Sequence, residues 1–317
     1  MNKIIYGENM SRENFIFNII FYIILSLFFL YLFVKEKTLS AKIKNMIENF
    51  SENICDSLGI VEEKKRKNIA SVLNGIESII TAIVLVLIIQ RFYLGNFMVP
   101  TGSMEPTIMP KDRLFGNMVS YKFRAPKREE IVVFKEPIQN KVLYTKRIMG
   151  LPGEKIYIKD NHLYINNNKI ESRNYSPLGD LGNNTWIVPK KGDKVTIIPG
   201  GNYTEEYMRR NINVGRIQDI LLQNPGEIKE AIPSLEFYVN GERTGMILDL
   251  VHDKKIIKDL MDGKTIETTL EDDYYLVLGD NTNGSYDSRM WGFVKEDRIR
   301  GKAFVRFWPI NKIKLLK

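Results

Sequence analysis

A run of twenty uncharged residues, Phe15 to Val34, constrains this chain more than any other feature. Only Asn18 and Ser26 are polar within it, and twenty apolar residues are enough to cross the hydrocarbon core of a bilayer as a helix. A cleaved targeting segment is the alternative. The run is longer than the apolar part of a usual one, however, and no small-residue cleavage site follows Val34. The sequence therefore predicts a retained transmembrane helix over residues 15–34.

A second apolar run covers residues 73–93. Asn74 and Glu77 interrupt its start, but Ile79 to Ile89 contains a single polar residue, a threonine. An amphipathic helix in the core of a soluble domain is the alternative. A basic cluster before the run and Arg91 near its end are typical of a membrane span. We therefore predict a second transmembrane helix over residues 73–93.

Lysine and arginine are distributed unevenly around these two runs. Eight lie between Lys35 and Asn68, whereas the fourteen residues before the first run contain two. Because cytoplasmic loops of membrane proteins carry the excess of positive charge, residues 35–72 are predicted to form a cytoplasmic loop. Residues 1–14 then form an outer N-terminal tail, and residues 94–317 form an extracytoplasmic domain.

The composition excludes several classes of site. A single cysteine, Cys55, rules out an internal disulfide framework, and with only two histidines a Cys/His zinc site has too few ligands. The net charge is +8, but no basic-aromatic pattern of a nucleic-acid-binding surface accompanies it. Anionic headgroups of a lipid bilayer attract such a chain, so a membrane is the expected partner and nucleic acid is not.

Short β segments separated by turns dominate the chain after Pro110. Many such strands at close spacing favour a mostly β, antiparallel domain over a parallel α/β fold. The predicted strands are Arg113–Tyr121, Ile131–Phe134, Val142–Met149, Ile156–Ile158, Leu163–Ile165, Tyr274–Leu278 and Ala303–Trp308.

The stretch from about Lys190 to Asp272 departs from this pattern. Thr204–Gln223 has acidic residues in its first turn and ends at Asn-Pro-Gly, which predicts a helix. His252–Met261 predicts a shorter second helix. We interpret residues 190–272 as an inserted, partly helical subdomain without a catalytic centre of its own.

A small hydroxyl stands in a stiffened segment directly after the second apolar run. Ser103 follows Gly102, and Pro100 and Pro106 lie three residues to either side. Each proline fixes its own φ and biases the preceding residue toward extended geometry, so the serine is held in a non-helical segment. An ordinary turn is the alternative, and a nucleophilic serine is the functional interpretation.

A serine hydroxyl needs a neighbouring base to act as a nucleophile. His162 and His252 are the usual type of base, but neither belongs to a supporting motif, and both are interpreted as surface histidines. Lys146 lies within an apolar strand and shares a face with Tyr144 by alternation. Burial there would lower its pKa and make it a base, although a lysine extending from a sheet edge has the same pattern.

The loop Leu278–Val294 is denser in Gly, Asn, Asp and Ser than a plain turn requires. Ser285 and Ser288 are positioned to orient an amine, and Asp287 can pair with Arg289. Solvated turn chemistry is the alternative to such a functional loop.

Four segments together resemble the bacterial type I signal peptidases, which are membrane-bound serine endopeptidases. The apolar run leads into residues 97–108, FMVPTGSMEPTI, and the strand IVVF follows at residues 131–134. YTKRIMGLPGE lies at residues 144–154 and GDNTNGSYDSRMWGFV at residues 279–294, in the order of the family. The resemblance covers most of the chain after Leu73, apart from the insertion.

The resemblance implies a site in which Ser103 is the nucleophile and Lys146 is the base. It also implies that the Thr101 hydroxyl and the Ser103 N–H form an oxyanion hole. Ser285 would orient the lysine, and Asp287 with Arg289 would brace the loop. Subsites for small side chains are implied near Phe97, Val99, Met104, Val133 and Tyr144.

The chain departs from the family pattern in three places. Thr101 stands where serine is common and keeps the hydroxyl, whereas Thr282 stands where an arginine often braces the loop. Arg128, Glu129 and Glu130 replace a common Arg-Gly-Asp, which predicts a different turn there. None of these departures touches Ser103 or Lys146.

The function implied is removal of signal peptides from exported preproteins at a bacterial inner membrane, by a multi-pass protein with its catalytic domain on the outer side. No metal or organic cofactor is expected, the signal peptide and the bilayer are the expected partners, and a monomer is expected. The alternatives are a specialised peptidase for one pilus or conjugation substrate and an inactive membrane-anchored binding module.

Overall fold

The computed structural model describes residues 12–316. The chain forms two compact units, and the boundary between them along the sequence falls between Leu94 and Gly95. Residues 1–11, which make up most of the predicted outer tail, lie outside the described residues. Each unit is described separately below.

The N-terminal unit consists of helices. They are α1 (Arg12–Val34), α2 (Glu36–Ser57) and α3 (Glu63–Phe92). By length and composition, Ile16–Val34 and Glu63–Phe92 are apolar enough to cross a membrane. Helix α3 begins ten residues before the apolar run because its basic first turns are good helix formers, and Lys67 pairs with Glu63 one turn away at 2.7 Å.

The second unit is built from β-strands joined by short helices. Its strands are β1 (Leu94–Met98), β2 (Arg113–Asn117), β3 (Ile131–Lys135), β4 (Leu143–Gly150), β5 (Lys155–Lys159), β6 (His162–Ile165), β7 (Asn168–Asn174), β8 (Trp186–Ile187), β9 (Lys194–Ile198), β10 (Glu236–Val239), β11 (Glu242–Thr244), β12 (Ile266–Thr269), β13 (Tyr274–Leu278), β14 (Val294–Lys295), β15 (Ile299–Trp308) and β16 (Lys314–Leu315). Its helices are α4 (Ser120–Phe123), α5 (Tyr203–Arg209), α6 (Val214–Gln223), α7 (Ile228–Ala231), α8 (Lys254–Met261) and α9 (Ser288–Trp291).

Three sheets organise these strands. The largest has the order β1-β2-β15-β3-β4-β13-β14, with β16 paired to β15. The other two have the orders β11-β10-β9-β12 and β7-β6-β5-β8. Neighbouring strands such as β3 and β4, β4 and β13, and β9 and β10 run antiparallel. The predicted mostly antiparallel β fold is confirmed.

The strand predicted over Arg113–Tyr121 is shorter in the structure and ends at Asn117. The Asn117 side chain accepts hydrogen bonds from the backbone N–H groups of Val119 and Ser120, both at 2.9 Å. These bonds turn the chain into helix α4, because asparagine offers the backbone a local partner in place of the sheet.

The helix predicted over Thr204–Gln223 is two helices in the structure, α5 and α6. Asn211 between them has a φ of 53°, a left-handed conformation that ends the first helix. Asn213 then caps the second by accepting from Arg216 N at 3.1 Å. Likewise α8 begins at Lys254, two residues later than predicted, because Asp253 caps its first turn.

The insertion also contributes the sheet β11-β10-β9-β12, and its core is continuous with that of the central strands. Val195 and Phe237 of the insertion belong to the same buried apolar cluster as Ile148 on β4 and Leu276 on β13. The insertion therefore shares a core with the rest of its unit and is not a separately packed subdomain.

Strand β3 presents different clusters on its two faces. Val132 and Phe134 belong to the large cluster, whereas Ile131 and Val133 belong to a smaller one. Because side chains alternate along a strand, consecutive residues of β4 also point to opposite faces. This alternation separates the environment of Lys146 from that of Arg147.

Candidate active site around Ser103 and Lys146

Ser103 lies in a short 3-10 turn, Gly102–Met104, and is buried. Its carbonyl oxygen accepts from the backbone N–H of Asn281 at 3.1 Å, and the Gly102 carbonyl accepts from Asn281 Nδ2 at 3.0 Å. The turn also contacts strand β4. A loop far along the chain therefore fixes the backbone that carries the serine hydroxyl.

Thr101 lies on the other side of this hydroxyl. Its Oγ1 is 3.3 Å from Ser103 Oγ, at the long end of hydrogen-bond distance. The Thr101 backbone is extended, with φ −120° and ψ 160°, which directs its side chain to the same side as the serine. A second hydroxyl is thus held beside the oxygen that would react.

Lys146 is buried on β4, with 4% of its surface exposed. It pairs with Val132 of β3, and its Nζ lies 5.8 Å from the centre of the Tyr144 ring. The predicted shared face of Lys146 and Tyr144 agrees with this contact. Among the described residues, the amine has no hydrogen bond or ion pair.

Burial lowers the pKa of Lys146 to about 8 from the ordinary 10.5. The carboxylate of Asp287 opposes this shift, the guanidinium of Arg289 adds to it, and Asp280 opposes it weakly. Desolvation dominates, so an appreciable fraction of the amine is neutral near neutral pH and can accept a proton.

Gly279 lies close to both the Ser103 turn and Ser285. A Cβ atom placed on Gly279 would lie 2.5 Å from the Ser103 carbonyl oxygen and 2.1 Å from Ser285 Oγ. Both distances are too short for any side chain, so only glycine permits this approach. Ser285 Oγ is buried and has no hydrogen-bond partner in the part of the chain that the structure describes.

The loop after β13 is held by a buried ion pair. Arg289 donates to both carboxylate oxygens of Asp287, at 2.9 and 2.8 Å, and Asp287 Oδ2 also accepts from Gly279 N at 2.9 Å. Thr282 takes part as well, because its Oγ1 accepts from Arg289 Nη1 at 3.1 Å and from Ser176 N at 2.7 Å. Thr282 therefore stabilises this loop by hydrogen bonds. The replacement of the family's arginine by threonine had instead predicted the loss of a stabilising contact here.

Ser288 makes a contact with the backbone. Its hydroxyl oxygen accepts from the backbone N–H of Val277 at 3.0 Å and so fastens the start of helix α9 to strand β13. Of the two serines singled out in the loop, Ser285 is the one whose Oγ has no hydrogen-bond partner among the described residues.

Sequence reasoning missed a second buried ion pair, between Arg147 and Asp280. Arg147 Nε and Nη2 donate to the two carboxylate oxygens at 2.8 and 2.7 Å, and both side chains are almost fully buried. The pair joins β4 to the loop next to Asn281. The sequence contains part of the evidence for this pair, because Asp280 lies in the loop that is rich in Gly, Asn, Asp and Ser, and Arg147 is the residue after Lys146.

The five residues implied as substrate subsites do not form one group. Phe97, Val99, Met104 and Val133 contribute to the smaller cluster, and the last three of these are buried. Tyr144 instead packs against the large cluster, with its ring 6.3 Å from that of Phe134. The structure brings four of them together and places Tyr144 on the face of Lys146.

The two histidines occupy other environments. His252 Nε2 lies 3.0 Å from Arg298 Nη2, and burial lowers the pKa of His252. His162 begins strand β6 and pairs with Lys159 and Asn174. Within residues 12–316, no group of three or more His, Cys, Asp or Glu side chains is arranged to hold a metal ion.

Replacing Lys146 by methionine should stabilise the protein, because it removes the cost of burying an amine. Below about pH 8 this cost is fully present. Between pH 8 and 10.5 the folded chain has released the proton and the unfolded chain has not, so the stability of the native protein rises with pH. Lys146→Met should therefore raise the free energy of unfolding by about 3 kcal/mol at pH 7, and the gain should disappear near pH 10.5.

Unfolding of the full chain at several pH values measures this difference. The exposed Lys255 provides the control, since Lys255→Met should leave stability nearly unchanged at every pH. A less stable Lys146→Met protein at pH 7 would show that the amine is not desolvated.

A model of the family described as "Signal peptidase, peptidase S26" matches residues 72–308. The match begins in helix α3, includes the Ser103 turn, β4 and the loop of residues 279–289, and extends across the insertion. It therefore covers well over half of the chain.

Individual relatives agree with this match. Signal peptidase I of Buchnera aphidicola subsp. Baizongia pistaciae is 30% identical over 276 residues, covering 80% of this chain and 83% of the relative. A probable signal peptidase I-2 of Synechocystis is 28% identical over 245 residues, covering 76% and 75%. Signal peptidase I of Aquifex aeolicus is 28% identical over 235 residues, covering 71% and 80%. The chain belongs to the type I signal peptidases, hydrolases of peptidase family S26.

Proposed function

We propose that this protein is a membrane-anchored endopeptidase that removes signal peptides from exported preproteins, with Ser103 as nucleophile and Lys146 as general base. The observation that carries the proposal is the desolvated amine of Lys146. It lies on the strand that the Ser103 turn contacts, and its pKa is about 8. Roughly a tenth of the amine is then neutral at pH 7.

The reaction is an acyl transfer in two stages. Ser103 Oγ attacks the carbonyl carbon before the scissile bond while neutral Lys146 accepts the hydroxyl proton. The protonated amine then donates this proton to the leaving nitrogen as the peptide bond breaks, which leaves an ester on Ser103. Lys146 next accepts a proton from water, the resulting hydroxide attacks the ester, and the proton returns to Ser103 Oγ.

Thr101 supports the negative charge that develops on the carbonyl oxygen in this proposal. Its hydroxyl already lies 3.3 Å from Ser103 Oγ, so it is within reach of a carbonyl bound there. The backbone N–H of Ser103 is the second donor. Two fixed donors in a buried site stabilise an oxyanion much more than they would in water.

Ser285 orients the amine of Lys146 in this proposal. Its hydroxyl is buried against Gly279, on the side that also faces the Ser103 carbonyl, and it has no partner within residues 12–316. A buried hydroxyl without a partner is costly, and a lysine amine that moves during catalysis would satisfy it. Asp287 and Arg289 hold the loop that positions it.

Small side chains at the first and third positions before the cut are the expected specificity. Val99, Met104 and Val133 are packed into the small cluster, so a substrate side chain would meet a closed apolar surface there. Phe97 is partly exposed beside this surface, and the partly exposed Tyr144 lies on the face of Lys146. The assignment of these five residues to substrate binding remains a proposal.

Helices α1 and α3 are proposed as the two membrane spans, with residues 94–317 outside the cytoplasm. The basic residues of α2 and of the first turns of α3 support this orientation. An epitope inserted in the turn between these helices, residues 58–62, should survive protease added to intact spheroplasts, while the catalytic unit is digested. Lysis should expose the epitope. Protection of the catalytic unit in intact spheroplasts would reverse the proposed orientation.

The pH dependence of preprotein cleavage tests the identity of the base. With a precursor that has alanine at the first and third positions, kcat/KM should rise about tenfold per pH unit below pH 8 and level off above it, because the neutral amine is the active form. Lys146→Arg should be inactive, since a guanidinium keeps its proton in a protein.

The double variant His162→Gln/His252→Gln is the matched control. It should retain the same pH profile, because neither histidine lies in the Ser103 site. Loss of the rise near pH 8 in this variant, with activity becoming independent of pH, would assign the base to a histidine.

Thr101→Val tests the proposed oxyanion donor. Valine keeps the shape of threonine and removes the hydroxyl, so kcat should fall by roughly a hundredfold to a thousandfold with little change in KM. Thr101→Ser should remain active because it keeps the donor. A fully active valine variant would show that other groups hold the oxyanion.

A further inference from the structure

A cavity of about 550 Å³ in the catalytic unit is lined largely by cations. A volume of this size is within the range of small-molecule sites and exceeds the needs of a bare inorganic anion. Its lining residues are Pro106, Thr107, Arg147, Arg173, Arg306, Lys314, Leu315 and Leu316.

The cavity has an excess of positive charge among the described residues. Asp280 neutralises Arg147 and lies 3.4 Å from Arg173 Nε, so one carboxylate serves two guanidinium groups. Asp112 neutralises Arg306 at 3.1 Å. Lys314 has no ion pair within residues 12–316. Two carboxylates therefore balance only part of the charge of four cationic side chains.

Arg173 also has a donor without a partner. Its Nη1 is buried and makes no hydrogen bond to any residue that the structure describes. Most buried donors in proteins are paired, so an unpaired guanidinium N–H at a cationic cavity indicates a position for an acceptor oxygen. Arginine binds oxyanions such as phosphate with particularly good geometry.

This cavity and the Lys146 amine lie on different faces of β4. Arg147 is adjacent to Lys146 on β4, and adjacent residues of a strand point to opposite faces. A ligand in the cavity would therefore not contact the amine of Lys146.

The surface next to the cavity along the chain, here called the rim, is apolar and exposed. Trp308, of which 49% is exposed, lies on β15 two residues after the lining residue Arg306, and the exposed isoleucines 310 and 313 lead from it to the lining residues of β16. Tryptophan and aliphatic side chains beside lysine and arginine are typical of surfaces at the boundary between lipid headgroups and acyl chains. A phosphate-bearing ligand with an apolar part matches both halves of this surface.

We propose that the cavity binds the phosphodiester headgroup of an anionic phospholipid, with the acyl chains lying along the rim that contains Trp308. The excess positive charge selects a lipid with net negative charge over a zwitterionic one. An acidic side chain of a peptide would satisfy the charge but leaves the exposed rim uncovered, so the lipid fits the surface better. The proposal does not depend on the assignment of the peptidase residues.

Trp308 provides a local probe of binding. The other two tryptophans, Trp186 and Trp291, are buried in the large cluster. In detergent micelles containing the full chain, phosphatidylglycerol with brominated acyl chains should quench tryptophan emission at a mole fraction at least tenfold lower than brominated phosphatidylcholine. Trp308→Phe should remove this quenching, which identifies its source.

Variants that remove positive charge test whether the cavity causes the preference for phosphatidylglycerol. Arg173→Gln/Lys314→Gln should abolish the preference for phosphatidylglycerol, since each basic residue contributes severalfold to anionic-lipid binding. Lys314→Gln alone, at an exposed position, should reduce it severalfold and covers the case in which the double variant does not fold. Arg209→Gln/Lys255→Gln removes the same charge from an exposed part of the insertion and should retain the preference.

Competition separates the possible ligands. Inorganic phosphate and an acidic peptide, at the same concentration as the lipid headgroup, should leave the quenching unchanged. Displacement by phosphate would make the cavity a simple anion site, and displacement by the peptide would make it a peptide site. Either result, or equal quenching by the two lipids, would overturn the lipid proposal.

Discussion

The burial of the Lys146 amine is the constraint that the surrounding structure has to satisfy. An amine on an apolar strand is unfavourable when charged, and here the cost appears as a pKa lowered to about 8. Two ion pairs next to it, Asp287 with Arg289 and Arg147 with Asp280, are each internally neutralised. Because their own charges are paired, they fix the loop and the strand without returning the amine to its ordinary pKa.

One strand therefore separates two kinds of chemistry. On the face of Lys146, a desolvated amine lies against Tyr144 and the large apolar cluster. On the face of Arg147, guanidinium groups line a cavity. A shift of register by one residue would exchange the two environments, so the pairing of β3 with β4 determines both the neutral base and the cationic cavity.

Local patterns were sufficient to predict the mostly β fold, the two apolar helices, and the motifs that contain Ser103 and Lys146, but helix α2 lies in a stretch that was predicted as a loop. They were insufficient where a contact joins distant segments. The bonds from Asn281 to the Ser103 turn and the pairing of Arg147 with Asp280 depend on which strands become neighbours, and periodicity does not contain that information. Smaller differences have local causes, such as the left-handed Asn211 that divides one predicted helix. Val133 and Tyr144 lie on opposite faces of the sheet because side chains alternate along a strand, and this can be stated only once the register of β3 and β4 is known.

The hydrogen bond between Asn281 and Gly102 has a consequence for the timing of maturation. The two residues are 179 positions apart, so the turn that carries the serine is made long before the loop that holds it. During synthesis, a chain that has not yet reached Asn281 lacks both hydrogen bonds to this turn. The segment that carries the hydroxyl is then held by neither bond, so the native conformation of this turn is completed only after residue 281 has been made.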